Sequence, residues 1–334
     1  MAAETGVATV PTPHATREPA TDTDPPPREL VVLDRQRLTE DVVGIRLADP
    51  DGGELPGWTP GAHVDLILAG DLVRQYSLCG DPADRTTWLL AVLREPAGRG
   101  GSQWVHDAVR PRTRLAVRGP RNHFRLETAP AYLFIAGGIG ITPIVPMVRE
   151  VRAREARWTL IYGGRSHASM PFADELGTMG KRVVLHPQDR CGLLPLIPAL
   201  QRTAPGTHVY ACGPSALLDA AQDACAAMGR DLHLERFAPA GPAAGAGGFE
   251  VELARSGRTM HVPPDRTLLD VLEEAGVSVL SSCRTGTCGT CEVGVLAGEL
   301  EHHDEVLTAA ERAAGDVLLA CTARARSARL VLDC

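Results

Sequence analysis

Lysine is nearly missing from this 334-residue chain: Lys181 stands alone, and every other basic side chain is arginine. That bias fits GC-rich coding DNA, and with a net charge of −7 it argues against a nucleic-acid-binding surface. The first 28 residues lack the apolar core of a secretory signal. They are rich in Pro and Thr and are expected to form a disordered extension. A long uninterrupted hydrophobic run is absent too. The best candidate, residues 131–148, carries three Gly and two Pro, so it reads as strand, turn and helix start, not as a membrane span. No disulfide framework is implied either: of nine cysteines, Cys79, Cys191, Cys212, Cys225 and Cys334 are scattered and odd in number.

The other four cysteines are spaced for chemistry. Cys283, Cys288 and Cys291 read C-x4-C-x2-C, and Cys321 follows after 29 residues. This is the plant-type spacing in which four thiolates hold a 2Fe-2S cluster. Gly286 and Gly289 fall between the first three cysteines, where the backbone must curl and aim N–H groups at sulfur. A structural zinc site favours two C-x2-C pairs, and only one exists here. A Rieske centre needs two histidine ligands, and no cysteine is followed by x-His. A cluster beside unbridged thiols suits a reducing compartment, so a cytoplasmic location is expected. Residues 249–334, which hold the cysteines, carry 14 Asp and Glu against eight Arg. That acidic block suits docking to a basic partner or is simply a solvated face.

Upstream, residues 29–128 alternate short β-type runs with turn signals, which predicts an antiparallel barrel with a helix near 102–109. Residues 129–237 change to strand–helix alternation, which predicts a doubly wound parallel α/β sheet. A Pro/Gly/Ala-rich linker spans 238–248. The final block, 249–334, opens with a hairpin and a helix that Thr267 is placed to cap.

Two turns in the α/β block suit a dinucleotide. Gly138 and Gly140 lie in GGIGITP, after a strand and before a helix, where a pyrophosphate can approach the backbone. Cys212-Gly213-Pro214 ends another strand in the same way. In the barrel, Arg74, Tyr76 and Ser77 offer a phosphate partner, a packing ring and a hydroxyl, and Gly101-Ser102 opens a helix. Taken singly, each is also an ordinary barrel element.

Taken together and in order, RQYSLCG, GRGGS, GGIGITP, ACGP, LERF and C-x4-C-x2-C resemble the phthalate dioxygenase reductase family over residues 29–334. The resemblance implies an FMN-binding barrel, an NAD-binding domain and an α+β ferredoxin domain of β-grasp type. It implies that Arg74, Tyr76 and Ser77 hold the flavin, with Ser77 near the reactive ring nitrogen, and that Gly101 and Ser102 bind its phosphate. Gly138, Gly140, Thr142, Cys212, Gly213 and Pro214 would flank the nicotinamide nucleotide, and Arg165 and Ser166 its adenosine end. Glu235 and Phe237 would lie near the nicotinamide and flavin rings; for Phe237 the alternative is core packing. Ser77, Thr142, Cys212 and Phe237 are thus the residues expected nearest the hydride. FMN is favoured over FAD and NADH over NADPH, although an Arg at 165 also suits a 2′-phosphate.

The implied activity is a relay from NADH through flavin and cluster to a terminal oxygenase, of Rieske or haem-thiolate type, by a monomer that binds neither nucleic acid nor membrane. No catalytic triad is expected, and His302 and His303 read as surface or packing residues. A flavin oxidoreductase that reduces small acceptors directly is the alternative. A zinc-stabilised binding protein would leave the barrel and the glycine turns unexplained.

Overall fold

The computed structural model describes residues 26–68, 72–96, 98, 100–237, 247–281, 284, 286, 289–304 and 307–334. Most of the predicted extension and linker, and both Cys283 and Cys288, lie outside the described residues.

Six strands form the first sheet: β1 (Arg28–Arg37), β2 (Val42–Ala48), β3 (His63–Leu68), β4 (Leu72–Ser77), β5 (Thr87–Leu93) and β6 (Arg114–Arg121). Their order is β4-β3-β6-β1-β2-β5, antiparallel throughout. A bridge between Leu78 and Leu90 joins one edge to the other and closes the barrel. Side chains two residues apart share a face of a strand. Leu30 and Val32, Val64 and Leu66, and Trp88, Leu90 and Val92 accordingly point inward and are essentially fully buried. Helix α1 (Gly101–Ala108) is pinned to the barrel by His106, whose Nε2 lies 2.9 Å from Val92 O.

The second sheet contains β7 (Ala131–Gly137), β8 (Arg157–Gly164), β9 (Val183–Pro187), β10 (Thr207–Cys212) and β11 (Leu232–Glu235). The order is β11-β10-β7-β8-β9, all parallel. The chain runs outward from β7 to β9 and then returns to β10, so the direction of winding switches between β7 and β10. Helices α2 (Ile141–Ala153) and α3 (Ala173–Gly177) cover one face. After the short α4 (Gln188–Cys191), helices α5 (Leu196–Gln201) and α6 (Ser215–Ala227) cover the other. Pro143 sits in the first turn of α2, as its missing N–H permits, but Pro146 lies inside the helix and removes one backbone bond there.

The third sheet is built from β12 (Phe249–Leu253), β13 (Arg258–Val262), β14 (Glu292–Ala297), β16 (Val317–Leu319) and β18 (Arg329–Leu332), with β15 (Leu300–Glu301) and β17 (Arg324–Ala325) as a small ribbon. The first strand pairs in parallel with the last, β12 with β18, and helix α7 (Leu268–Glu274) packs on the sheet through Leu268, Leu269 and Leu272. This is the predicted β-grasp arrangement. Thr267 caps α7 as expected, accepting from Asp270 N at 3.1 Å. Helix α8 (Ala309–Ala314) completes the domain. Among the described residues no helix is long and apolar enough to cross a membrane.

Candidate cofactor sites

The ferredoxin-type sheet brings two of the four cysteines side by side. Cys291 directly precedes β14, and Cys321 lies two residues beyond the end of β16. Because Glu292 pairs with Leu319, Ala320 N donates to Cys291 O at 2.9 Å. Both cysteines are nearly buried, at 2% and 3% exposure. Gly286 N donates to Cys321 Sγ at 3.2 Å. Its φ is +76°, and a Cβ there would lie 2.9 Å from Thr322 Oγ1 and 3.0 Å from Asp304 Cα, so the loop can curl this closely only as glycine. Arg284 fastens the same loop to α7 by bonding Asp270 Oδ1 at 3.0 Å and pairing with Glu273. Buried sulfurs with a backbone N–H aimed at one of them fit a thiolate-held cluster.

Behind Cys321, Arg324 is buried to 4% exposure. Its guanidinium donates to Arg266 O, Gly247 O and Pro263 O and lies 5.0 Å from the Phe249 ring centre. Burial lowers its pKa from the ordinary arginine value. No local pattern marks this residue; only the fold surrounds it with carbonyls.

In the barrel, Arg74, Tyr76 and Ser77 lie on β4 and face Leu66, Val64 and His63 of β3 in register. Tyr76 packs against the barrel core, and burial pushes its phenol up to about 12, with Arg74 opposing. Ser77 is buried. The Arg74 side chain crosses the start of α1: a Cβ on Gly101 would come within 2.6 Å of Arg74 Cγ and 2.7 Å of its Nε. Glycine at 101 therefore lets a guanidinium and the open N-terminal N–H groups of α1 converge, which fits a phosphate. Ser102 Oγ already accepts from Glu95 N at 3.0 Å, which leaves its O–H as a donor.

In the parallel sheet, the two glycine turns touch backbone to backbone. A Cβ on Gly140 would lie 2.4 Å from Cys212 O, and Gly213 meets Gly137 Cα at 3.0 Å from its own virtual Cβ. Gly138 takes φ +54° with open space around it. The contact lies at the switch between β7 and β10, where open α/β sheets bind their ligands. Cys212 is level with Ala136 on one side and Glu235 on the other. Thr142 is buried and donates through Oγ1 to Ile139 O at 2.9 Å, so its hydroxyl holds the turn. Pro214 caps α6. Arg165 and Ser166 follow β8; Ser166 N donates to Ser169 Oγ at 3.1 Å. Phe237, just past β11, is 44% exposed and so is not a core residue.

A seam joins the two sites. Val42, Cys79 and Ala91 of the barrel pack with Ile139 and Phe172 of the α/β domain. Ile139 is the middle of the glycine turn, and Cys79 lies two residues beyond Ser77. Arg149 of α2 spans the seam, donating to Cys79 O at 3.1 Å and Gly80 O at 3.0 Å while bonding Glu175. Sequence reading missed Arg149, whose carbonyl partners in the barrel are about 70 residues away in the chain. Burial pushes the Cys79 thiol up to about 12, which suits packing and not thiolate chemistry.

Comparison with known proteins identifies the domains and the family. Residues 251–326 match the 2Fe-2S iron-sulfur cluster binding domain family, and residues 134–195 match the oxidoreductase NAD-binding domain family. The chain is 44% identical over 299 residues to phenoxybenzoate dioxygenase subunit beta of Ectopseudomonas oleovorans, covering 88% of this chain and 93% of that one. It superposes with TM-score 0.81 and 41% identity on an intact type IV self-sufficient cytochrome P450 monooxygenase, covering 95% of this chain but only 43% of that one. With phthalate dioxygenase reductase, described as a modular structure for electron transfer from pyridine nucleotides to 2Fe-2S, the TM-score is 0.69 at 34% identity, covering 92% and 98% of the two chains. The chain belongs to the phthalate dioxygenase reductase family.

Proposed function

We propose that this protein is the reductase of an oxygenase system, carrying electrons from NADH through FMN and a 2Fe-2S cluster to a terminal oxygenase. The observation that carries the reading is the seam: Ile139 of the nucleotide turn packs against the cluster of Val42, Cys79 and Ala91, beside the end of the flavin strand. A bound flavin would supply the change from a two-electron hydride donor to a one-electron cluster that such a relay requires. The chain's own residues bind, orient and exclude water. Arg74 and the start of α1 hold the flavin phosphate, Tyr76 packs its ring system, and Ser77 offers a hydroxyl at the ring edge. The Gly138–Gly140 turn and Cys212-Gly213-Pro214 admit the pyrophosphate and nicotinamide, with Glu235 and Phe237 at the rim of the same edge. Val42, Ala91, Ile139 and Phe172 keep the seam dry. Cys283, Cys288, Cys291 and Cys321 hold the cluster.

The partner is an oxygenase of Rieske or haem-thiolate type; the relatives' names include dioxygenase and monooxygenase subunits and an intact cytochrome P450 monooxygenase. The protein works in the cytoplasm as a monomer. An anaerobic NADH titration followed by visible absorbance tests the relay. Flavin and cluster bands should bleach together at about three electrons per chain, two for the flavin and one for the cluster. Bleaching of the flavin alone would favour direct reduction of small acceptors and refute the relay.

A further inference from the structure

The turn between β1 and β2 reaches from the barrel to the carboxyl edge of the parallel sheet. There Asp41 Oδ2 lies 3.4 Å from Arg165 Nη2, joining residues 124 apart in the chain. The turn is set by backbone bonds: Leu38 N donates to Val42 O at 2.9 Å and Arg94 N to Asp41 O at 2.8 Å. Arg165 is equally fixed at its main chain, where its carbonyl accepts from Asp189 N at 3.1 Å. Its side chain, by contrast, is 79% exposed. Among the described residues Asp41 is the only acidic partner of that guanidinium.

The position of this pair gives it a role. Arg165 directly follows β8, the strand beside β7, where a doubly wound sheet reads the ribose at the adenosine end of a dinucleotide. A site of this kind selects a 2′-hydroxyl with a carboxylate and a 2′-phosphate with an arginine. Neither β7 nor β8 is followed by a carboxylate: the chain reads Gly138-Ile139-Gly140 after one and Arg165-Ser166-His167 after the other. The carboxylate comes instead from the other domain.

We infer that Asp41 is a nucleotide-selectivity residue that the barrel supplies to the α/β domain: its carboxylate occupies Arg165 and repels a 2′-phosphate, so the site favours NADH over NADPH. The inference rests on the reading that this edge binds a nicotinamide dinucleotide. A phosphate dianion about 6 Å from a carboxylate, in water-like surroundings, is disfavoured roughly tenfold. The same removal of charge frees Arg165 for the phosphate.

The test is Asp41→Asn in the cofactor-loaded protein, with cytochrome c as acceptor and NADH and NADPH as donors. The ratio of kcat/KM for NADPH to that for NADH should rise about tenfold, chiefly through a lower KM for NADPH. The gain should shrink in about 0.5 M salt, because the pair is exposed. It should be smaller when Asp41→Asn is made on an Arg165→Ala background, where only the relief of repulsion is left. A ratio within about twofold of the parent for Asp41→Asn, or a gain as large without Arg165 as with it, overturns the inference while both nucleotides are still oxidised. Failure of the parent protein to oxidise either nucleotide would instead sink the reading on which it rests.

Discussion

Alanine at position 140 sets backbone preference against space. Gly140 has φ −62°, an ordinary helical value. Alanine would therefore meet no backbone strain there. Space forbids the substitution. The new Cβ would lie 2.4 Å from Cys212 O, 2.5 Å from Cys212 C and 2.6 Å from Gly213 N. All three are main-chain atoms at the end of β10, so no rotamer relieves the overlap. The two turns must part by roughly 1 Å to reach normal contact. Overpacking of this kind costs about 1–3 kcal/mol and occasionally more. A loss of about 2 kcal/mol is expected, a fall in the thermal midpoint on the order of 5 °C or more. Displacing a turn that admits the nucleotide should also raise the KM for NADH about tenfold or more. Calorimetry without nucleotide and steady-state kinetics read the two effects. Gly138→Ala is the control. Its φ of +54° imposes strain of about 1–2 kcal/mol, but nothing lies within 4 Å of a Cβ there, so β10 stays in place. If Gly140→Ala melts at or above the parent temperature with an unchanged KM, the two turns do not bear on each other as argued.

Two further outcomes follow from buried polar groups. Arg324→Met strips three carbonyls of their donor and should cost the ferredoxin domain about 3 kcal/mol. On heating, the visible absorbance of the cluster should be lost at lower temperature than in the parent, while flavin release is unchanged; coincident cluster loss would show that the carbonyls find other partners. Stability should also fall in mild acid. Burial holds the imidazoles of His106 and His233 below the usual histidine pKa, and for His233 the neighbouring His208 adds to the effect. The unfolded chain then binds more protons than the folded one as pH falls below about 6.5. Their contribution is complete above that pH and is lost progressively toward the lower folded-state values. The thermal midpoint should drop between about pH 7.5 and pH 5.5, with the drop reduced in His233→Asn; a flat midpoint would refute it.

The sequence by itself determined whatever rests on backbone need and short spacing. C-x4-C-x2-C with glycines between requires a loop that curls, and Gly286 is found doing so at φ +76° with its N–H on Cys321. Alternating apolar residues set which side chains of β12 face the core: Phe249, Val251 and Leu253 are buried, and Glu250 and Glu252 are not. Thr267 and Asp270 cap α7 because a hydroxyl three residues before a carboxylate does so locally. The order of the three sheets was legible for the same reason, since period-two runs and strand–helix alternation are properties of neighbours in the chain. Only the tertiary structure decided which distant groups meet. That Gly140 leans on Cys212 and Gly213, that Arg149 holds Cys79 and Gly80, that Arg324 gathers carbonyls from Gly247, Pro263 and Arg266, and that Asp41 reaches Arg165 are contacts between segments up to 124 residues apart. An exposed arginine or aspartate carries no local signal of its partner. Its charge is the same wherever it lands, and its role is set by the fold that brings a carbonyl, a carboxylate or another backbone within reach.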